Sequence, residues 1–543
     1  MGKQVSLIFV FLMFLGCTSR REQYKDVAIF RYNEPNGITS LDPAFTRNLE
    51  NISAVNQLFN GLVQMDENLN VVPCIAKSWE VLDSGKLYRF VLRNDVLFHE
   101  SDLFENELSR KVTARDFEYS FNRLVDQGLA SPGSWVFNFV QKDSVDNYAF
   151  RAISDSVLEI ELKTAFPPFL GILTMQYCSV VPEEVVTHYG EDFRQHPIGT
   201  GPFKFKFWSE SNKLVFVKNE EYFELDEDGN RLPYIDAVNV TFNKDEEVAF
   251  LKFLKGDLDY ISGLNGSYKD EILNSDGGLK VKYSDRVKMI TVPYLNTEYL
   301  GFNLQAKEIV DGSSPLKYLQ VRQAINYGFN RKKMLLYLRK GIGTPANNGF
   351  IPKGLPGFTS EFEGYDYNPK KAKALLREVG FDKQNKVPKI TLNTTAQYLD
   401  LCEYIQHELK DIGISLEIEV NPSGTHNEMV AQGNMTFFRK SWVADYPDAE
   451  NYLALFYGKN LAPDGPNYTR YSSSEYDRLY WSGLSEPNDS ARIALYEEMD
   501  KMIIKDAAIV PLFYDQVVRF VPKSLEGLGV NPMNLLSLKK VKM

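Results

Sequence analysis

Hydrophobic residues along the chain recur with two periods. Leu158, Ile160 and Leu162 alternate with Glu159, Glu161 and Lys163, and Phe203, Phe205 and Phe207 alternate with Lys204 and Lys206. Both stretches predict strands with one buried face. Val27 to Tyr32, Leu87 to Arg93, Ile390 to Asn393, Leu416 to Val420 and Val510 to Tyr514 predict further strands. Helical spacing governs other stretches. Phe117, Phe121 and Leu124 follow Thr113, whose partner Asp116 completes an approximate capping box. A helix is predicted through Val321 to Arg331. Asn368-Pro369 opens a helix with Ala372, Leu375, Leu376 and Val379 inward, stopped at Gly380. Cys402, Ile405, Leu409 and Ile412 mark another that ends at Gly413, and Arg492 to Lys505 one more. The strand–helix–strand order across 390–420 implies parallel pairing, so residues ~290 to 510 read as an α/β domain.

Proline and glycine punctuate this pattern. Glu34 to Pro43 holds two prolines and a glycine, which enforce irregular extended backbone. Such backbone either forms a surface turn or offers its N–H and C=O groups to a ligand strand. Residues 99–112 are acidic and irregular, as in an insertion, and Ser131 to Trp135 is a loop with one large aromatic. Pro197-Ile-Gly-Thr-Gly-Pro202 dictates a tight turn. It is no phosphate loop, because neither a third glycine nor a GK[ST] follows. Gly341 to Ala346 fits GxGxxA only superficially, since it follows a helix and Pro345 interrupts it.

The first residues change the picture. Lys3 precedes an apolar run from Val5 to Leu15, broken only by Ser6 and shorter than a membrane span. It ends in Phe14-Leu15-Gly16-Cys17, which predicts a signal peptide over 1–16, lipidation at Cys17 and a polar tether over 17–26. A plain secretory signal is the alternative. A lipid would tie the protein to a membrane surface. At 543 residues the chain exceeds one ordinary core, so two or three domains are expected. The net charge of -11 becomes -12 once Lys3 leaves with residues 1–16, which argues against nucleic acid as a partner. Three cysteines remain, Cys74, Cys178 and Cys402, without a CxxC pair, and are read as small buried hydrophobes.

No reactive constellation appears. His407-Glu408 lacks the second histidine of HExxH, and His99, His188, His196 and His426 are scattered without metal-ligand spacing. No GxSxG is present. Asp445 and Asp448 cannot be made a catalytic pair from spacing alone. No enzyme, metal or cofactor is expected.

The segment from Trp442 to Leu453 concentrates the remaining chemistry. Asp445, Asp448 and Glu450 follow Trp442 with no basic residue between them, and Asp464 lies further on. Pro447 stiffens the backbone and pushes Tyr446 toward extended geometry. A carboxylate beside an indole suits a buried ligand ammonium, through charge-assisted hydrogen bonds and cation–π attraction. The competing reading makes Trp442 core and Asp445 the cap of a helix starting near Pro447.

Trp442-Val-Ala-Asp445-Tyr-Pro-Asp448 resembles the signature of the bacterial extracellular solute-binding proteins of family 5. Blocks at 56–62, 73–80, 113–123, 197–202, 234–238, 256–259 and the Ser40-Leu-Asp-Pro43 stretch carry the same likeness, so it spans nearly the whole mature chain. The resemblance implies an α/β, two-lobed periplasmic-binding-protein (Venus flytrap) fold of the larger type, with an extra subdomain in the first lobe. Residues 27–65, 197–288 and 512–543 would form lobe I, 66–196 its extra subdomain, and 289–511 lobe II. It implies a lipid-anchored, monomeric, extracytoplasmic receptor that hands peptides to the permease and ATPase of an ABC importer. Asp445 would hold the peptide ammonium. The backbone around Ile38, Thr39, Ser441 and Ala444 would pair with the peptide main chain, and Trp135 would lie near its side chains. Ser441 stands where the family commonly has glycine. A nickel chelate or other non-peptide solute on the same fold, and an extracytoplasmic hydrolase, are the alternatives.

Overall fold

The computed structural model describes residues 27–105, 107–264 and 266–543. The expected signal peptide, Cys17 and the tether fall outside the described residues.

The first sheet joins β1 (Ile29–Asn33) to three later strands. Phe30 and Tyr32 of β1 point into the core, as alternation requires. Next comes α1 (Leu49–Leu58), whose last turn meets the Pro197–Pro202 block. The Gly201 N–H donates to the Leu58 carbonyl at 2.8 Å, and a Cβ at Gly199 or Gly201 would fall within 2.4 Å of Leu58 backbone. Close approach, and no phosphate, therefore explains these two glycines. Between them lies a separate four-stranded sheet of Ala76–Leu82, Leu87–Leu92, Val157–Glu161 and Phe150–Ser154. It is covered by α2 (Ala114–Val125), which buries Phe117, Phe121 and Leu124 and carries the expected Thr113–Asp116 capping box.

The chain then returns as β2 (Phe203–Ser209), β3 (Lys213–Lys218) and β4 (Ala237–Thr241), giving the order β1-β4-β3-β2 with β1 and β4 parallel. A register shift between Phe205 and Phe207 leaves Phe207 half exposed, against the expected alternation. After α3 (Glu246–Lys255) comes the longest strand, β5 (Val287–Phe302). The helix expected through 321–331 is two, Leu319–Tyr327 and Arg331–Arg339. The break follows Gly328, where a Cβ would lie 2.5 Å from the Leu409 side chain, and Asn330 caps the second helix by accepting from the Lys333 N–H.

In the α/β part, β6 (Ile390–Thr394), α4 (Leu399–Ile412) and β7 (Leu416–Val420) form the expected unit, with β6 and β7 parallel in register Ile390 to Leu416. β8 (Phe437–Val443) lies antiparallel to β5. The chain closes with β9 (Ile509–Pro522), paired along β5 for most of its length. This sheet runs Ile261–Ser262, β9, β5, β8, β6, β7, with Thr344–Pro345 also against β9. The divisions expected at 288/289 and 511/512 fall inside β5 and β9, so continuous strands join the two parts. Cys74, Cys178 and Cys402 are free and buried, as read from the sequence.

Candidate ligand-binding site

Asp445 stands two residues past the end of β8, and its carboxylate opens on a cavity of about 240 Å³. Leu49, Ile52 and Asn56 of α1 face it from one side, with Tyr177, while Tyr294 of β5 and Val443 of β8 face it from the other. The carboxylate keeps contact with the cavity although protein crowds it on both sides. That crowding pushes its pKa up to about 6, partly offset by a hydrogen bond from Asn451. No lysine or arginine among the described residues forms an ion pair with it. Tyr177 is pushed up to about 12, first by burial and next by the Asp445 charge across the cavity.

Asn451 sets the site's geometry. Its Oδ1 accepts the Trp442 indole N–H at 2.9 Å and the Asp445 backbone N–H at 3.2 Å, while its Nδ2 donates to the Asp445 carboxylate at 3.4 Å. Asp445 caps no helix: Ala449 is the N-cap of Glu450–Leu453, and Asp448 Oδ1, just before it, accepts from the Glu450 N–H at 2.8 Å. Trp442 is half-buried against the core. Glu450, next to Asn451, is buried and accepts from the hydroxyls of Tyr446 and Tyr480.

The free edge of β8 follows from alternation. Ala444 N–H donates to Leu295 C=O at 2.9 Å, and Asn303 N–H to Thr436 C=O at 2.8 Å. Narrow pairs in an antiparallel ladder recur every second residue, so Lys440 and Trp442 direct their backbone groups to β5. Ser441 and Val443 direct theirs to the opposite edge. There β6 pairs with β8 only at Phe438, and no strand among the described residues pairs with the last residues of β8 on that edge.

The sequence-derived residues are thus only partly brought together. Trp442, Ser441, Ala444 and Asp445 are contiguous, but the Ala444 N–H is committed to Leu295, and Val443 supplies the open edge in its place. The Thr39 N–H donates to Asn51 Oδ1 at 3.0 Å and its carbonyl accepts from Arg194 at 3.4 Å, so Thr39 is no free backbone partner. Ile38 is buried. Neither lines the Asp445 cavity; α1 does. Trp135 packs its ring 6.3 Å from Tyr446, buttressing the loop after Asp445 without lining the cavity. Asn451, Val443, Tyr177 and Tyr294 were not legible as site residues. Asn451 lies six residues past Asp445 on the far side of Pro447, and no sequence period returns its side chain to Trp442.

Other reactive groups are withdrawn from solvent. Burial pushes the Cys74 thiol up to about 12 and His99 down to about 4. Among the described residues no group of three His, Cys, Asp or Glu is placed to hold a metal ion, and no helix is long and apolar enough to cross a membrane.

Known proteins share this architecture. The dipeptide-binding protein of Escherichia coli is 24% identical over 490 residues, covering 88% of this chain and 87% of that protein. The oligopeptide-binding protein OppA of Bacillus subtilis is 25% identical over 502 residues, covering 88% and 85%. Among solved structures, DppA from Helicobacter pylori in complex with the peptide STSA superposes with a TM-score of 0.75 at 24% identity, over 97% of this chain and all of that one. The unliganded open form of the murein tripeptide binding protein MppA gives 0.77 at 24% identity, over 95% and 98%. The fold is the two-lobed α/β fold of periplasmic binding proteins. The model of the bacterial extracellular solute-binding proteins, family 5, matches residues 70–463. This chain is therefore a member of family 5 of the bacterial extracellular solute-binding proteins.

Proposed function

We propose that this solute-binding protein captures short peptides and delivers them to the permease and ATPase of an ABC importer. The observation that carries this reading is a carboxylate, Asp445, that lines a cavity without an ion-pair partner among the described residues, just past the end of an open strand edge. A peptide needs both: an anion for its α-ammonium and backbone groups for its main chain. In this reading the ammonium meets Asp445, held by Asn451, and the main chain adds to Ser441 and Val443. Such pairing is indifferent to side chains. The relatives named for dipeptide and oligopeptide binding support the same solute class.

The lobes divide as 27–65 with 197–288 and 512–543, an added subdomain over 66–196, and a second lobe over 289–511. Contacts made only with the lobes closed on ligand would shift the population to that form. A lipid on Cys17 would tie the protein to a membrane surface outside the cytoplasm. The function is to bind and hand over, with no bond made or broken.

Denaturing extraction of the purified protein, followed by mass spectrometry, tests the substrate class. A mixture of short peptides is the expected content. A single non-peptide compound would overturn the reading while leaving the fold untouched.

A further inference from the structure

A second cavity, of about 250 Å³, adjoins the first across Leu49, which lines both. The segment Met533 to Leu536 also divides them, with Met533 and Leu535 facing the Asp445 cavity and Asn534 and Leu536 facing the second. Three acids from separate elements line this second space: Glu34 just after β1, Glu50 in the first turn of α1, and Glu246 in the first turn of α3. None forms an ion pair among the described residues. Glu50 accepts a hydrogen bond from Asn36. Glu34 is pushed up to about 8, first by burial, next by the charge of Glu50 and further by that of Glu246.

Tyr32 gives an independent sign of a missing partner. It lines the same cavity and is only 2% exposed, yet among the described residues its hydroxyl has no hydrogen-bond partner, and it is not sealed away from the cavity. A phenol so enclosed ordinarily finds a hydrogen-bond partner. Its ring stands edge-on to Tyr260 at 6.1 Å, so the acids face an aromatic wall. Arg519, a buried cation against the same aromatic wall, forms no ion pair with them. Its guanidinium lies 5.7 Å from the Tyr260 ring and donates to the carbonyls of Gly529, Asn534 and Leu535 at 2.9, 3.1 and 3.0 Å.

The arrangement selects the kind of cation. A metal ion needs its carboxylates gathered at one point, and no such group exists among the described residues. Acids spread around a tyrosine-lined space suit an extended organic cation, which reaches several carboxylates and lies against ring faces. We infer that this cavity is a side-chain subsite for a basic residue, lysine or arginine, of a peptide whose α-ammonium is held by Asp445. The inference rests on the peptide reading and adds a preference that strand pairing cannot supply.

Calorimetry with the mature protein separates the two. Tripeptides of alanine carrying lysine at the first, second or third position are compared with norleucine at the same position, which keeps the stem and removes the charge. At one position the lysine peptide should bind roughly tenfold tighter or more. Glu34→Gln and Glu50→Gln should each reduce that ratio toward one, leaving the norleucine peptides unchanged. Equal affinities at all three positions overturn the subsite but not the peptide reading. Failure of every tripeptide to bind, with the protein folded by circular dichroism, overturns both. A preference for lysine that survives the Glu34→Gln, Glu50→Gln double variant places the cation elsewhere and overturns the assignment.

Discussion

Asn451 receives the indole N–H of Trp442 at 2.9 Å on the same oxygen that accepts the Asp445 backbone N–H. One amide thus ties the end of β8 to the carboxylate that follows it. Asn451→Asp would keep the shape and add a second negative charge beside Asp445. Two carboxylates so close hold a proton more tightly. The acid limb of ligand affinity against pH should therefore move to higher pH, and a titration by calorimetry at several pH values reads it directly. An unmoved limb would show that Asn451 does not act through Asp445.

Asp445 itself is expected to carry the ammonium contact. Asp445→Ala should weaken peptide binding by roughly 2–5 kcal/mol, the range for removing one partner of a desolvated charge pair. Unchanged affinity with the fold intact would remove Asp445 from the site.

The raised Asp445 pKa gives two pH effects of opposite kind. Binding needs the carboxylate ionised and the ligand amine protonated. Affinity should fall below pH about 6, and again above roughly 8 as the α-amine deprotonates. Stability runs the other way. A carboxyl whose folded pKa lies above its unfolded value favours the protonated folded form, so its cost to the fold is absent at acid pH and grows as pH rises toward 6. Asp445 keeps solvent contact, so water screens much of that cost, and Asp445→Asn should raise the melting temperature of the unliganded protein only slightly at pH 7.5 and do nothing at pH 4. A lower melting temperature at pH 7.5 would contradict the burial cost.

The alternation along β8 separates two neighbouring substitutions. Val443→Pro removes an N–H that no protein carbonyl uses, whereas Trp442→Pro removes a ladder hydrogen bond to β5. The first should impair ligand binding with a small change in melting temperature. The second should destabilise the whole fold. Similar losses of stability from both would mean the edge at Val443 is not open.

Behind the site, Glu298 and Arg439 form a buried ion pair on the same face of β5 and β8, 2% and 8% exposed. Glu298→Ala would strand the guanidinium. A loss of about 3–5 kcal/mol in denaturant unfolding is expected. Replacing both residues with apolar ones of similar volume should recover much of it, and a double variant no better than the single would exclude that cause.

Regular elements were legible where one face met the core. The helix Leu399–Ile412 and the parallel strands beside it follow from Cys402, Ile405, Leu409 and Ile412 on one side and from short apolar runs on the other. β5 was not legible over its full length. Its first half is partly exposed without alternation and its second half is buried on both faces, so neither period applies. The break over Gly328, Phe329 and Asn330 was hidden because a gap of about one helical turn keeps nearly the same apolar spacing on either side. At the site, Asp445 and Trp442 stood out as residue types on stiff backbone. Thr39 and Ala444 were misjudged because which backbone groups remain free depends on Asn51, Arg194 and Leu295, all distant in sequence.

The ladder between β5 and β9 is interrupted from Pro293 to Thr297, and Tyr294, within that gap, forms part of the floor of the Asp445 cavity. A paired ribbon bends readily out of its plane and resists shear within it. On the proposed reading of two lobes closing on a solute, weakening it at one place would set a hinge there and leave the two halves largely one rotational freedom. The solute would then rest on the hinge itself, so the angle between the lobes and the shape of the cavity floor are mechanically one variable. On that proposal an importer that sensed the angle would sense occupancy without touching the solute.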